Sequence, residues 1–231
     1  RINDEMPQSG AGKTIMTTQP HFVPNEAVEL ELDDGGIMKV RLVDCVGYMV
    51  DGAAGHMDDD GPRMVRTPWF DYDIPFLDAA EIGTKKVITE HSTIGIVVTT
   101  DGTIADIPRG NYVPSEERVV SELKELGKPF VMVLNSTSPN TSEAAQLRAA
   151  LEEKYSVPVL LTDVLSMTYE NMETLLKDIL YEFPMREVRI KVPDWVLALS
   201  DGHWLLDSLC ESINTAVEGL EKVRNYSNIA E

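Results

Sequence analysis

At 231 residues, 43% of them apolar and 26% charged, the chain can bury a full core and fits one large domain, or one domain and a fragment. A formal charge of −19 argues against a nucleic-acid partner, whose phosphates need a positive footprint, and against direct adhesion to anionic lipid. No apolar run approaches the ~20 residues of a membrane-spanning helix and no secretory leader is visible; Cys45 and Cys210, far apart in sequence, read as free thiols in a reducing cytosol.

The first segment, RINDEMPQSGAGKT, ends like a phosphate-binding loop. The pattern G-x-x-x-x-G-K-[ST] needs its first glycine where Pro7 stands, and it follows a buried strand, which RINDEM is too polar and short to be. Gly10-Ala-Gly-Lys-Thr14 is therefore a chance match. From Ala27 the sequence turns period-two: Val28, Leu30 and Leu32 alternate with Glu29, Glu31 and Asp33. Asp34-Gly35-Gly36 is a hairpin turn, and Ile37 to Val43 is the returning strand. Val50 to Pro75, rich in Gly, Asp and Pro, reads as a long loop.

A regular order follows. DAAEIGTKKVITEH predicts a helix, IGIVVTT a buried strand, and SEERVVSELKELGK a helix opening on Ser115 and closing on Gly127. FVMVLNS is a strand, SEAAQLRAALEEKY a helix, VPVLLTDV a strand and YENMETLLKDILYEF a helix. This alternation predicts an α/β fold, a mostly parallel sheet with helices on both faces, with the hairpin supplying an antiparallel strand at its edge. Past Pro184, REVRIKV alternates as a strand, Trp195 and Trp204 bracket Ser200-Asp-Gly202, and a helix runs from Asp207 with Leu209, Ile213, Val217 and Leu220 on one face. The organisation expected is one α/β domain over residues 1–183 and the opening of a following domain over 184–231.

The sharpest chemical signal is Asp44-Cys-Val-Gly47 at the end of an apolar strand. In phosphate-hydrolysing sheets a carboxylate there holds Mg²⁺, usually through water, and the glycine N–H faces the terminal phosphate. Four-residue patterns recur by chance, but a hairpin feeding D-x-x-G, then helix, strand, helix and strand, is the order of GTPase-like proteins from their second strand onward. In that order the segment before the hairpin is the first switch, and Thr17 and Thr18 stand where a threonine completes the Mg²⁺ shell. A guanine site carries N-K-x-D after the fifth strand. Here that position reads Asn135-Ser-Thr-Ser138, and neither Ser136 nor Ser138 reproduces the charge-assisted contact that rejects adenine. ATP is the expected nucleotide. Thr99-Thr-Asp-Gly-Thr103 follows a buried strand at the ligand-bearing edge of such sheets. His21, His56, His91 and His203 have no metal-ligand spacing, and Asp58-Asp-Asp60 reads as a solvated charge run.

The stretches PQSGAGKTIMTTQPHFVPN, RLVDCVGY, GPRMVRTPW, AAEIGTKKVITEHSTIGIVVTTDGTI and GKPFVMVLNS, with the tail YEFP…VPDWV…HW, resemble the stage IV sporulation protein A family, the coat morphogenetic ATPases of endospore-forming bacteria. The resemblance implies a P-loop NTPase (GTPase-like) core that has shifted to ATP and uses hydrolysis for irreversible self-assembly. It implies a cytoplasmic location in the mother cell, on the outer forespore membrane and in the spore coat, with other coat proteins and a small amphipathic membrane-bound peptide as partners. It carries the sensor-threonine and metal roles onto Thr17 and Thr18 and the Walker B role onto Asp44, while the GTPase-like element order itself puts Gly47, Asn135 and Ser136 beside the nucleotide. The family's Walker A unit lies upstream of its counterpart of Arg1, and its middle and C-terminal domains, which hold the peptide contact, lie beyond Glu231.

Two readings stay open at this point. One is an ATPase whose Walker A unit this chain lacks. The other is a structural scaffold on a degenerate nucleotide fold, which does not hydrolyse.

Overall fold

A computed structural model describes residues 21–31 and 37–225. Gly10 to Thr14, Thr17, Thr18 and the Asp34-Gly35-Gly36 turn lie outside the described residues. Two compact units divide at Asn171/Met172.

In the first unit, β1 (His21–Glu31) pairs antiparallel with β2 (Ile37–Asp44). Strand β1 starts six residues before the alternation predicted from Ala27. The register shifts between Val23 and Val28, so a bulge interrupts the period-two pattern, and Pro24 has no N–H to offer the ladder. Glu29 and Lys39, directly opposed, form an exposed 3.0 Å ion pair. Among the described residues the hairpin is a sheet of its own, hydrogen-bonded to no other strand. This corrects the expectation that it extends the main sheet.

The long loop is more ordered than its composition suggests. Short antiparallel ladders join β3 (Met57–Asp58) to β4 (Gly61–Pro62) and β5 (Met64–Val65) to β6 (Ile74–Pro75). They lead into α1 (Phe76–Lys86), which continues as one π-helical turn through His91. Phe76, Ala79 and Ala80 bury one face of α1 against Val65 and Ile74.

The main sheet is parallel, in the order β7 (Gly95–Thr100), β8 (Phe130–Asn135), β9 (Val159–Thr162). Central β8 is buried from Phe130 through Leu134, the continuous apolar run expected of a strand covered on both faces. Helix α2 (Arg109–Glu125) packs on β7 and α3 (Ser142–Tyr155) on β9. Val120, Leu123, Leu151 and Tyr155 close over Val97, Met132 and Leu134. The α/β class is as predicted.

Helix α2 begins at Arg109, not at Ser115. Pro108 caps it at φ −57°, ψ 142°, and Pro114 lies inside it, its ring leaving the Gly110 carbonyl without its helical donor. Ser115 followed by two glutamates imitates a helix start, but its hydroxyl reaches the Met49 carbonyl instead.

The second unit is described by itself. It holds α4 (Tyr169–Tyr181) from Met172 onward, α5 (Asp194–Leu197) and α6 (Trp204–Val217). Helix α6 opens three residues before the predicted Asp207, with His203 as its cap accepting from the Leu205 N–H. Arg186 to Val192 form no strand, correcting the prediction from their alternation. A strand needs a neighbour to take its hydrogen bonds, and the nearby bridge joins Pro184 to Lys222 instead. That bridge brings Lys222 and Arg224 onto the fully buried carboxylate of Glu182. Among the described residues no helix is long and apolar enough to cross a membrane.

Candidate functional site

Strand β2 delivers Asp44 as its last residue, opposite His21, with an exposed side chain. The chain then turns at Gly47, whose φ of +79° only glycine adopts without strain; a Cβ there would meet nothing within 4 Å. The glycine is therefore required by the turn itself and leaves open space on its outer side. Its N–H is directed to the Cys45 sulfur. Burial pushes the Cys45 thiol up, against the pull of the Gly47 N–H. That is the environment of an inert thiol, not a reactive one.

Beyond Gly47 the chain runs along α2. Tyr48 is buried and its hydroxyl donates to Glu122, while the Arg118 guanidinium lies 3.9 Å from its ring centroid. Burial foremost, then the Glu122 carboxylate, raises the phenol's pKa. Ser115 donates to the Met49 carbonyl, and Asn111 Nδ2 to the Asp51 carbonyl at 2.9 Å. No sequence pattern marks this attachment. Tyr48 beside Gly47 is its one local hint.

The carboxyl edge of the sheet gathers the other predicted residues. Asn135 ends β8, and its Oδ1 accepts from the Val164 N–H at 3.0 Å, holding the turn after β9. Ser136 is fully buried. Its hydroxyl accepts from the Ser138 N–H at 3.0 Å and hydrogen-bonds to the Asp101 carboxylate. Asp101 Oδ1 also accepts from the Thr103 hydroxyl at 2.6 Å and the Thr103 N–H at 3.0 Å. Partial burial raises this carboxyl, but these donors outweigh it and hold its pKa below the ordinary range. Thr103 Oγ1 accepts in turn from the Thr137 N–H at 3.0 Å, so the turns after β7 and β8 are tied together. Gly102 lets the turn after β7 lie against the start of α2: φ is +95°, and a Cβ would fall 2.9 Å from the Arg109 nitrogen.

Beneath the edge lies a charge cluster that sequence reasoning missed. The carboxylate of Glu116, its side chain 2% exposed, takes Arg109 Nη2 at 2.7 Å. It also takes the hydroxyls of Thr99 at 2.7 Å and Tyr155 at 2.8 Å. A buried ion needs such a full set of donors. In the sequence Glu116 is one more acid in a helix, with nothing to mark its burial.

Thus the structure joins Asn135 and Ser136 to Asp101 and Thr103, and places Asp44 and Gly47 at the mouth of a loop anchored on α2. Among the described residues no group of three or more His, Cys, Asp or Glu side chains could hold a metal ion. Mg²⁺ bound with a triphosphate needs no such cage, since phosphate and water oxygens supply most of its octahedral shell and one carboxylate suffices. The exposed strand-end Asp44 beside an open glycine turn fits that requirement.

A family model described as stage IV sporulation protein A, ATPase domain, matches residues 1–184. Stage IV sporulation protein A of Bacillus subtilis (strain 168) is 52% identical over 229 residues, 99% of this chain and 46% of the relative. The proteins of the same name from Bacillus anthracis and Clostridioides difficile (strain 630) are 51% and 50% identical over the same share of this chain, covering 46% and 47% of their own lengths. The chain spans about half the length of the curated relatives it matches. No solved structure gives a significant match.

Proposed function

The chain belongs to the stage IV sporulation protein A family and carries its ATPase domain, and from that premise we propose that the protein binds ATP with Mg²⁺ and hydrolyses it to drive its own assembly into a basement layer on the forespore surface. One observation carries the reading: an exposed carboxylate closes β2, and three residues later the chain makes a glycine turn open to a ligand. The ATPase domain is assigned to residues 1–183 and the start of a further domain to 184–231, in keeping with the reach of the family model to residue 184.

Asp44 would hold the metal's water shell, and the hydroxyls of Thr17 and Thr18 would hold the metal or the attacking water. Mg²⁺, when bound, supplies Lewis-acid stabilisation of the charge that develops on the β- and γ-phosphates. The Gly47 N–H, which faces the Cys45 sulfur, would be offered a stronger acceptor in a γ-phosphate oxygen. Asn135 and Ser136 shape the base side of the site, Asn135 through the Val164 turn and Ser136 through Asp101. Loss of the γ-phosphate releases the threonine segment and changes the surface offered to the next copy. Other coat proteins and an amphipathic membrane-bound peptide are assigned as partners at the forespore membrane, the peptide through regions of the longer relatives outside this chain.

Phosphate release from the full-length protein with ATP and GTP side by side tests the assignment. ATP is expected to be the preferred substrate, because Ser138 stands where a guanine site needs an aspartate. A clear preference for GTP refutes the nucleotide assignment, and no release with either refutes the enzyme.

A further inference from the structure

Asn111, Ser115, Arg118 and Glu122 recur at i, i+4, i+7 and i+11, one stripe along α2. All four hold residues 48–51, the segment that follows Gly47. Ser115 and Asn111 donate to the backbone carbonyls of Met49 and Asp51. Glu122 accepts from the Tyr48 hydroxyl, and Arg118 lies over the Tyr48 ring. A serine inside a helix ordinarily bonds back to the carbonyl four residues earlier; Ser115 reaches out to the loop instead. The segment has little regular backbone structure, its turn closing on a single Ala53 N–H to Val50 carbonyl bond at 3.0 Å. Side chains of α2 therefore hold it in place.

From this geometry we infer that Ser115 and Glu122, with Asn111 and Arg118, are positioning residues for hydrolysis: they clamp residues 48–51 to α2 and thereby set the place of the Gly47 backbone. The inference rests on the ATPase reading above. Arg118 extends the clamp, since it pairs with Glu122 at 3.3 Å and with Glu81 of α1. A shift of Gly47 is then felt at the contact between α1 and α2. Residues that act through backbone placement change the turnover step more than substrate affinity, because small misplacements weaken the aligned transition state selectively.

The test uses full-length protein carrying Ser115→Ala, Tyr48→Phe or Ser115→Thr. Ser115→Ala and Tyr48→Phe are each expected to lower kcat about 10- to 100-fold, with KM for ATP within about twofold and faster amide exchange confined to residues 47–51. Ser115→Thr, which keeps the hydroxyl, is expected to restore turnover. Wild-type kcat in both Ser115→Ala and Tyr48→Phe overturns the clamp. So does an equal loss in Ser115→Thr and Ser115→Ala, which marks a packing effect. A wild-type protein that releases no phosphate overturns the ATPase reading itself.

Discussion

Asp44 and the threonine pair carry different parts of the proposed chemistry, and substitution separates them. In the full-length protein, Asp44→Ala is expected to weaken Mg²⁺-dependent ATP affinity about 10- to 100-fold, read by nucleotide titration with and without the metal. Thr17→Ala with Thr18→Ala is expected to leave binding intact and to cut hydrolysis at least about 100-fold, and assembly with it. Normal turnover in the double variant removes the threonines from the mechanism. Glu116 acts on stability instead. Glu116→Ala strands the Arg109 guanidinium beneath the sheet edge and is expected to cost about 3–5 kcal/mol, measured by urea unfolding. Tyr155, which donates to Glu116, adds a pH signature. Burial first, then the Glu116 carboxylate, pushes its phenol up to about 12, against about 10 in the unfolded chain. The folded state favours the neutral phenol, so its contribution is whole below about pH 10 and is lost as pH rises toward about 12. The difference in urea midpoint between wild type and Tyr155→Phe should shrink across that window.

Among the elements, β8 and α3 were legible because local and tertiary preferences agree there. FVMVL is apolar at every position, as a central parallel strand requires, and SEAAQLRAALEEKY follows a genuine cap: the Thr141 hydroxyl accepts from the Ala144 N–H at 3.3 Å. Thr141→Ala is expected to cost about 1 kcal/mol and Thr141→Ser almost nothing, compared by thermal unfolding. A similar loss in both variants would show that the hydroxyl is no cap. Helix α2 was misread at its start because Ser115 carries a cap's sequence signature while it serves the loop after Gly47. The alternation from Ala27 misses the first six residues of β1 because a bulge breaks the period between Val23 and Val28, and Arg186 to Val192 alternate without finding a partner strand. In each case the misleading pattern was local and the deciding partner distant.

For the whole molecule, composition and element order were enough to establish an α/β chain with a parallel sheet, and the run from the hairpin through D-x-x-G to the Asn135 strand end pointed to a nucleotide-hydrolysing family. These features are periodic or contiguous, so the sequence carries them without help. The comparisons show the family; the preference between ATP and GTP belongs to the protein as a whole and is decided by the side-by-side assay. Only the tertiary structure decided that the hairpin stands as its own sheet, that Glu116 is a buried ion with three donors, and that residues 48–51 are bound to α2. Those outcomes depend on groups up to 74 residues apart, as Tyr48 and Glu122 are. Their energies come from burial and hydrogen bonding that exist only once the chain has closed, and no short window of sequence holds Tyr48 with Glu122 or Glu116 with Tyr155.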